Sequence, residues 1–200
     1  MKKLLKLKSF IELNIILKSI GVCLELSVQK PFWIARDYLK CSGCRKCEII
    51  CSFFHERRIW PEASRIRVFM LVPGAEFPHF CTQCHDYPCV KSCPVKALSI
   101  SKETEAVLVD KEKCTGCGIC INACPGRIPH LHPTNGYALI CDLCEGAPQC
   151  VKVCNEGGWN ALWIVKKSES HCYKLYAKKP EEVTKELVIG LYGELGKEMI

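Results

Sequence analysis

The spacing of the cysteines constrains this chain more than any other feature of its sequence. Sixteen of the eighteen cysteines fall into four groups of four, and gaps of only two to five residues separate neighbours within a group. The groups are Cys41-x2-Cys44-x2-Cys47-x3-Cys51, Cys81-x2-Cys84-x4-Cys89-x3-Cys93, Cys114-x2-Cys117-x2-Cys120-x3-Cys124 and Cys141-x2-Cys144-x5-Cys150-x3-Cys154. Three cysteines at such gaps can line a tight loop around one iron–sulfur centre, and the fourth then ligates the neighbouring centre of a pair. The sequence therefore predicts four [4Fe–4S] clusters, with these sixteen cysteines binding the iron.

Glycines and prolines stand at positions where such cluster loops need them. Gly43, Gly116 and Gly118 lie between cysteines of the first and third groups. A glycine lets the backbone approach a sulfur closely and turn an amide N–H towards it, and such N–H···S bonds help to set a reduction potential. Pro94 and Pro125 each follow the fourth cysteine of a group and are predicted to end a helical turn there.

Two other uses of cysteine are less consistent with this spacing. A disulfide scaffold is typical of secreted chains shorter than about 100 residues. This chain has 200 residues, and its cysteine gaps are short. Structural zinc sites use paired Cys-x2-Cys knuckles separated by longer spacers. Zinc at a single site, the irregular fourth group, is kept as an alternative. For the function of the whole chain, a zinc-binding or iron–sulfur sensor module is also kept as an alternative.

The net charge of +7 does not indicate a nucleic-acid partner. Most of the excess lies in residues 1–40, which contain eight lysines and arginines against three acidic residues. No stripe of alternating lysines and aromatic residues is present, and anionic clusters would offset part of the positive charge. The sequence also lacks a glycine-rich phosphate loop and a nucleophilic cysteine–histidine pair, so the chain is predicted to be non-catalytic.

The N-terminal apolar stretch is not predicted to be a membrane span or a signal peptide. Residues 4–26 are largely apolar, but Lys6, Lys8, Glu12 and Lys18 interrupt them. A spanning helix needs about 20 mostly uncharged residues, and a signal peptide needs an uninterrupted apolar run before a cleavage site. We expect a reducing, cytoplasmic location. A contact of this extension with a membrane surface is left open, without support from the sequence.

Short strands and one C-terminal helix are predicted outside the cysteine groups. Alternating or β-branched runs occupy residues 66–70, 98–100, 107–109 and 161–165, and the middle two should form a hairpin. A helix is predicted to begin at Pro180, with Leu187, Leu191 and Leu195 on one apolar face. The two remaining cysteines, Cys23 and Cys172, are interpreted as ordinary thiols.

Residues 37–165 resemble the four-cluster [4Fe–4S] electron-transfer subunits of the dimethyl sulfoxide reductase and formate dehydrogenase type. The resemblance rests on the four cysteine groups and on the run Ile140-Cys141-Asp142-Leu143-Cys144 of the fourth group. The run Ser52-Phe53-Phe54-His55-Glu56 and the segment 61–68 are similar to the branch paired with tungsten aldehyde oxidoreductases.

The resemblance implies an α+β fold of two tandem bacterial-ferredoxin-like modules with an N-terminal extension and a C-terminal helix. The outer module would comprise residues 37–76 and 136–165, the inner module residues 77–135, the extension residues 1–36 and the tail residues 166–200. The resemblance also implies crossed ligation between the groups. The four ligand sets would be Cys41, Cys44, Cys47 with Cys154; Cys141, Cys144, Cys150 with Cys51; Cys81, Cys84, Cys89 with Cys124; and Cys114, Cys117, Cys120 with Cys93.

The function that the resemblance implies is a relay of single electrons in anaerobic metabolism. The chain would connect a large catalytic oxidoreductase subunit, of the aldehyde-oxidising tungsto- or molybdopterin type, with ferredoxin or another acceptor. A free polyferredoxin that serves several redox enzymes is the alternative within the same class.

Overall fold

The fold is taken from a computed structural model, which describes residues 31–167 and 176–200. The extension up to residue 30, Cys23 and Cys172 lie outside the described residues, so the interpretations made for them are not addressed by the structure. Within the described ranges, no helix is both long enough and apolar enough to cross a bilayer.

Short hairpins and short helices alternate along the described part of the chain. The strands are β1 Phe32–Arg36, β2 Arg67–Met70, β3 Glu76–His79, β4 Leu98–Ile100, β5 Val107–Val109, β6 His130–Leu131, β7 Ala138–Leu139 and β8 Leu162–Lys166. The helices are α1 Lys46–Glu56, α2 Pro88–Lys91, α3 Ile119–Ala123, α4 Gln149–Glu156, α5 Pro180–Tyr192 and α6 Glu194–Glu198. The strands pair in two-stranded antiparallel sheets, β1–β8, β2–β3, β4–β5 and β6–β7. This is an α+β fold of the ferredoxin-like kind, as the sequence predicts.

The hairpin predicted from two β-branched runs forms with the expected partners. Leu98 pairs with Val109 and Ile100 pairs with Val107, so β4 and β5 coincide with the predicted runs. The other two predicted strands, 66–70 and 161–165, lie within one residue of β2 and β8. These predictions from local pattern succeed because β-branched residues between polar turns favour a pleated, half-buried backbone.

Strand β1 joins the two ends of the cysteine-rich region. It pairs antiparallel with β8, so that Ile34 lies opposite Ile164 and Arg36 opposite Leu162. Because side chains alternate between the faces of a strand, Phe32, Ile34 and Arg36 point to the same side. All three side chains are buried. A strand within the predicted extension 1–36 is therefore part of the core, and it carries a charged residue inward.

The helices that follow each cysteine loop pack in pairs. Helix α1 contacts α4, and α2 contacts α3. Cys47 and Cys51 lie on α1, one helical turn apart, and Cys150 and Cys154 lie likewise on α4. Four residues of helix advance about 6 Å along the axis, so each helix offers sulfur atoms at two successive levels.

The inner pair of helices ends where prolines follow the fourth cysteine. Helix α2 ends at Lys91, two residues before Cys93, and Cys124 caps the C-terminus of α3. Pro94 and Pro125 come next, as predicted, and proline does not continue a helix. Helices α1 and α4 have no such proline, and they continue past their fourth cysteines to Glu56 and Glu156.

The C-terminal helix begins at Pro180 as predicted, but its predicted leucine face is wrong. Leu187 is 8% exposed, whereas Leu191 is 43% and Leu195 is 60% exposed. Helix α5 ends at Tyr192, and Gly193, with a φ of 59°, separates it from α6, which contains Leu195. The helix instead buries Val183, Thr184, Leu187 and Val188, and its apolar members pack against Ala75 and Phe77.

Replacing Leu187 by alanine is expected to lower the free energy of unfolding by about 2–4 kcal/mol, because a buried leucine leaves a cavity when it is truncated. Leu191→Ala, one turn further along the exposed side, should change it by less than about 1 kcal/mol. Denaturant unfolding of oxygen-free protein measures both values. Equal losses in the two variants would show that the buried face is assigned incorrectly.

Candidate metal centres

The described cysteines line four separate cavities, with four cysteines in each. The first cavity contains Cys41, Cys44, Cys47 and Cys154; the second contains Cys51, Cys141, Cys144 and Cys150; the third contains Cys81, Cys84, Cys89 and Cys124; and the fourth contains Cys93, Cys114, Cys117 and Cys120. Three cysteines of each cavity come from one sequence group and the fourth comes from another. All sixteen predicted site residues are brought together in this way, and none of the sixteen forms a disulfide.

Helix geometry explains why each group serves two cavities. Cys47 faces the first cavity and Cys51, one turn later on α1, faces the second. On α4 the order is reversed, since Cys150 faces the second cavity and Cys154 the first. The packed helix pair thus shares two neighbouring cavities. The pair α2 and α3 does the same for the third and fourth cavities.

Every Cys-x2-Cys loop that opens a group contains a left-handed residue just before its second cysteine. The φ angles are 67° at Gly43, 52° at Gln83, 69° at Gly116 and 60° at Leu143. Glycine adopts this conformation freely, but for other residues it costs about 1–2 kcal/mol. Gln83 and Leu143 are both buried, and the Gln83 side chain donates a hydrogen bond to the Cys141 carbonyl at 3.0 Å. Burial and this bond stabilise the left-handed conformations of Gln83 and Leu143. The pattern of glycines in the sequence does not predict these two conformations.

Backbone amides donate hydrogen bonds to the sulfur atoms that line the cavities. The N–H of Arg65 lies 3.3 Å from Cys51 Sγ, and that of Ala97 lies 3.3 Å from Cys93 Sγ. The N–H of Ala138 reaches Cys114 Sγ at 3.4 Å. Such bonds stabilise a thiolate over a thiol, and thiolate is the form that binds metal.

Burial makes several of these thiols difficult to ionise without a bound cation. Burial, with the charge of neighbouring cysteines, raises the pKa of Cys89 and Cys144 to about 12 and that of Cys120 to about 11. The pKa values of Cys141 and Cys150 are raised well above the ordinary value for the same reasons. A metal centre supplies the missing positive charge and deprotonates a coordinating thiol. The donor set therefore fits an iron–sulfur cluster and does not fit four free thiolates.

Apolar residues enclose the cavities and limit access of water. Phe32, Ile34, Ile66, Phe80 and Leu162 are buried together with cysteines of the first and second cavities. The inner cavities have a second cluster, in which Leu98, Val107 and Ile140 pack around Cys89 and Cys120. The cysteines are thus part of the hydrophobic core, and each metal centre would take the place of ordinary side-chain packing.

His55 and Asp142 connect the two elements that form the second cavity. His55 lies on α1 one turn after Cys51, and its Nε2 is 3.1 Å from both carboxylate oxygens of Asp142. Its Nδ1 is 3.0 Å from the Cys51 carbonyl, and Asp142 accepts a bond from the Cys144 amide at 2.9 Å. Burial lowers the pKa of His55, but its bonds to Asp142 and Cys51 outweigh burial and raise it to about 9.

The sequence does not predict this pair, although His55 lies within the run that carries the family resemblance. The two residues are 87 positions apart, and no spacing rule connects them. Their oxygen and nitrogen donors, with the sulfur of Cys144, lie within 4.8 Å of one another. Because both ring nitrogens of His55 have protein partners, its role here is to tie α1 to the fourth cysteine group.

The family models that match this chain describe [4Fe–4S] domains. Residues 73–162 match the model of a 4Fe-4S dicluster domain, and residues 38–53 match that of a 4Fe-4S binding domain. The polyferredoxin-like subunit of an aliphatic sulfonate oxidoreductase from Pyrococcus furiosus is 50% identical over 167 residues, covering 84% of this chain and 96% of the relative. The thiosulfate reductase electron transfer subunit PhsB of Salmonella typhi is 34% identical over 135 residues, covering 59% and 68%.

One solved structure that the chain resembles is the active site complex BamBC of benzoyl coenzyme A reductase as isolated. The two sequences are 27% identical, and the match covers 84% of this chain and 94% of that chain. Its TM-score of 0.40 is too low to establish a common arrangement of the whole chain.

The fold, the cysteine cavities and the matching family models define an iron–sulfur protein that binds [4Fe–4S] clusters. With a relative that is 50% identical over nearly its whole length, the chain belongs to the family of iron–sulfur electron-transfer subunits of oxidoreductases.

Two glycines with nearly the same φ angle allow a test of the cluster loops. Gly116 has a φ of 69°, and a Cβ there would lie 2.6 Å from the Gly136 carbonyl oxygen. Gly116→Ala is therefore expected to displace the loop of Cys114 and Cys117 and to lower the iron content. Gly136→Ala, at a φ of 73° with nothing within 4 Å, should retain its iron. It should lose only about 1–2 kcal/mol of stability.

Iron analysis and denaturant unfolding of both variants distinguish close packing from backbone strain. If Gly136→Ala lost as much iron as Gly116→Ala, strain alone would explain the requirement for glycine.

Proposed function

We propose that this chain relays single electrons through four [4Fe–4S] clusters between a catalytic oxidoreductase subunit and ferredoxin or another acceptor. The observation that carries the proposal is the presence of four cavities, each with four cysteines drawn from two sequence groups. A [4Fe–4S] cluster supplies reversible one-electron transfer when bound. The crossed ligand sets implied by the family resemblance are the same sets of four that line each cavity.

The order of the cavities supports a continuous row. The first and second cavities share α1 and α4, and the third and fourth share α2 and α3. Phe80 lines the second cavity and the next residue, Cys81, lines the third. Gln83 also bonds to the carbonyl of Cys141, which belongs to the second cavity. These shared elements support a row in which the four cavities follow one another from the first to the fourth.

Exposure of the cysteines supports electron entry and exit at the two ends of the row. Cys44 in the first cavity and Cys117 in the fourth are exposed. All four cysteines of the second cavity are buried, and none in the third is exposed. A partner could thus approach a cluster at either end, while the protein keeps water away from the middle of the row.

We further propose that the row is built as two modules. The outer module comprises residues 37–76 and 136–165 and holds the first and second cavities. The inner module comprises residues 77–135 and holds the other two. Lys167, the residue after β8, attaches the end of that strand to the inner module, because its ammonium donates to the Tyr87 hydroxyl and pairs with Glu105.

The proposed catalytic partner is a large tungsto- or molybdopterin subunit that oxidises an aldehyde. Support comes from the similarity of the runs 52–56 and 61–68 to the branch that accompanies tungsten aldehyde oxidoreductases. The relative from Pyrococcus furiosus is named as a subunit of an aliphatic sulfonate oxidoreductase, so an aliphatic sulfonate is the second candidate substrate of the partner. Ferredoxin is the proposed acceptor.

Oxygen-free protein is expected to contain about sixteen iron and sixteen acid-labile sulfide per chain, from four cubane sites. Cys41→Ser and Cys154→Ser, although distant in sequence, should each perturb the same electron paramagnetic resonance signal of the reduced protein. Cys150→Ser, one turn from Cys154, should perturb a different one. A signal shared by Cys150→Ser and Cys154→Ser would disprove the crossed ligand sets, and stoichiometric zinc without sulfide would favour the zinc-binding module.

Gentle anaerobic purification from native cells should yield the chain together with a large subunit that contains tungsten or molybdenum. Addition of an aldehyde should then reduce the clusters. Reduction by an aliphatic sulfonate instead, in a parallel sample, would identify the second candidate substrate. Bleaching of the cluster absorbance measures this reduction. A lone chain that exchanges electrons equally well with several unrelated oxidoreductases would identify a free polyferredoxin instead.

A further inference from the structure

Arg36 is a charged residue at a position built for an apolar one. It ends β1, and strand alternation places its side chain on the same side as Phe32 and Ile34. The three side chains have similar burial, and Arg36 is only 2% exposed. Phe32 and Ile34 belong to the apolar cluster around the second cavity. The guanidinium is therefore taken into the core beside the metal sites, where an uncompensated charge is unfavourable.

The described protein gives this cation few partners. One Nη donates to the Phe80 carbonyl at 3.2 Å, and Cζ lies 3.7 Å from the centre of the Phe80 ring and 4.8 Å from that of Tyr176. Within residues 31–167 and 176–200, Nε and the other Nη have no hydrogen-bond acceptor, and no carboxylate forms an ion pair with Arg36. Two aromatic rings and one carbonyl oxygen do not neutralise a full positive charge.

The guanidinium lies at the junction between the second and third cavities. Phe80, which it contacts, lines the second cavity, and Cys81, the next residue, lines the third. Among the groups that act on Arg36 electrostatically are Cys81 and Cys141, one from each of these cavities.

We propose that Arg36 is the shared counter-charge of the second and third clusters and holds their reduction potentials above the values that burial alone would give. This inference rests on the proposed occupancy of these cavities. Four thiolates give a cluster a net negative charge, and reduction adds another negative charge. A fixed cation beside two buried clusters favours the reduced form of both. Arg36 thus acts on the clusters through its charge and does not coordinate iron.

Two substitutions separate the charge from the shape of the side chain. Arg36→Met keeps an unbranched side chain of similar length and removes the charge, whereas Arg36→Lys keeps the charge and loses the flat stacking on Phe80 and Tyr176. A purely structural role predicts that both substitutions weaken folding and that neither moves a potential selectively. A counter-charge role predicts that only Arg36→Met moves the potentials.

The test is a redox titration of the anaerobic holoprotein followed by electron paramagnetic resonance, after iron and sulfide have been measured. In Arg36→Met, two of the four midpoint potentials should fall by about 59 mV, which corresponds to a tenfold change in a one-electron equilibrium constant. The other two should be unchanged, and Arg36→Lys should match the unsubstituted protein. Unchanged potentials in Arg36→Met, or an equal shift of all four, would refute the proposal.

Two controls cover the remaining outcomes. If Arg36→Met loses iron, Arg36→Lys must still contain the full amount of iron. Loss of iron from both variants would show that Arg36 has only a structural role. Glu169 lies in the part of the chain that the structure does not describe, close in sequence to Tyr176. If Glu169→Gln shifted the same two potentials as strongly upwards, Glu169 would be the partner of Arg36, and the proposed counter-charge role would be overturned. Absence of clusters from the unsubstituted protein would instead reject the proposed function itself.

Discussion

Charge compensation in a buried space is the constraint on which this structure depends. Four cysteines in one apolar cavity do not all ionise by themselves, because burial and mutual repulsion raise the pKa of residues such as Cys89, Cys141 and Cys150. Iron held by these cysteines would supply the missing positive charge and would join the elements that carry the sulfurs. Since cysteines of the second cavity belong to the same buried cluster as Phe32 and Leu162, we expect metal binding to be coupled to formation of the core.

The one-turn spacing between the third and fourth cysteines converts this local constraint into a fold. Cys47 and Cys51 lie on one helix but serve different cavities, and Cys150 and Cys154 do so in the opposite order. Neither helix can satisfy its sulfurs alone, so α1 must pack against α4 although about a hundred residues separate them in sequence. The inserted inner cavities repeat the same arrangement with α2 and α3. Sheet β1–β8 and the His55–Asp142 pair join further elements that are distant in sequence.

The sequence allows prediction of features that depend on neighbouring residues, and it fails where distant residues decide. The cysteine groups, the hairpin 98–109 and the start of α5 at Pro180 follow from local spacing and pattern. The leucine face predicted for α5 is wrong because Gly193 breaks the helix before Leu195, and because contact with Phe77 selects Val183 and Val188 instead. The glycine rule does not predict the left-handed conformations of Gln83 and Leu143, since tertiary burial holds them.

The cysteine pattern does not predict which charged residues are buried. The two cations His55 and Arg36 differ in how their charge is compensated. His55 is positively charged beside Asp142, so that pair is locally compensated and its effect is to hold two elements together. Arg36 lacks such a carboxylate among the described residues and lies where two cavities meet. An unpaired cation in the core destabilises the fold, because burial of an unpaired charge costs several kcal/mol. Anionic clusters in the two central cavities would supply the compensation that the described side chains lack, so the proposed clusters and the buried arginine would stabilise each other.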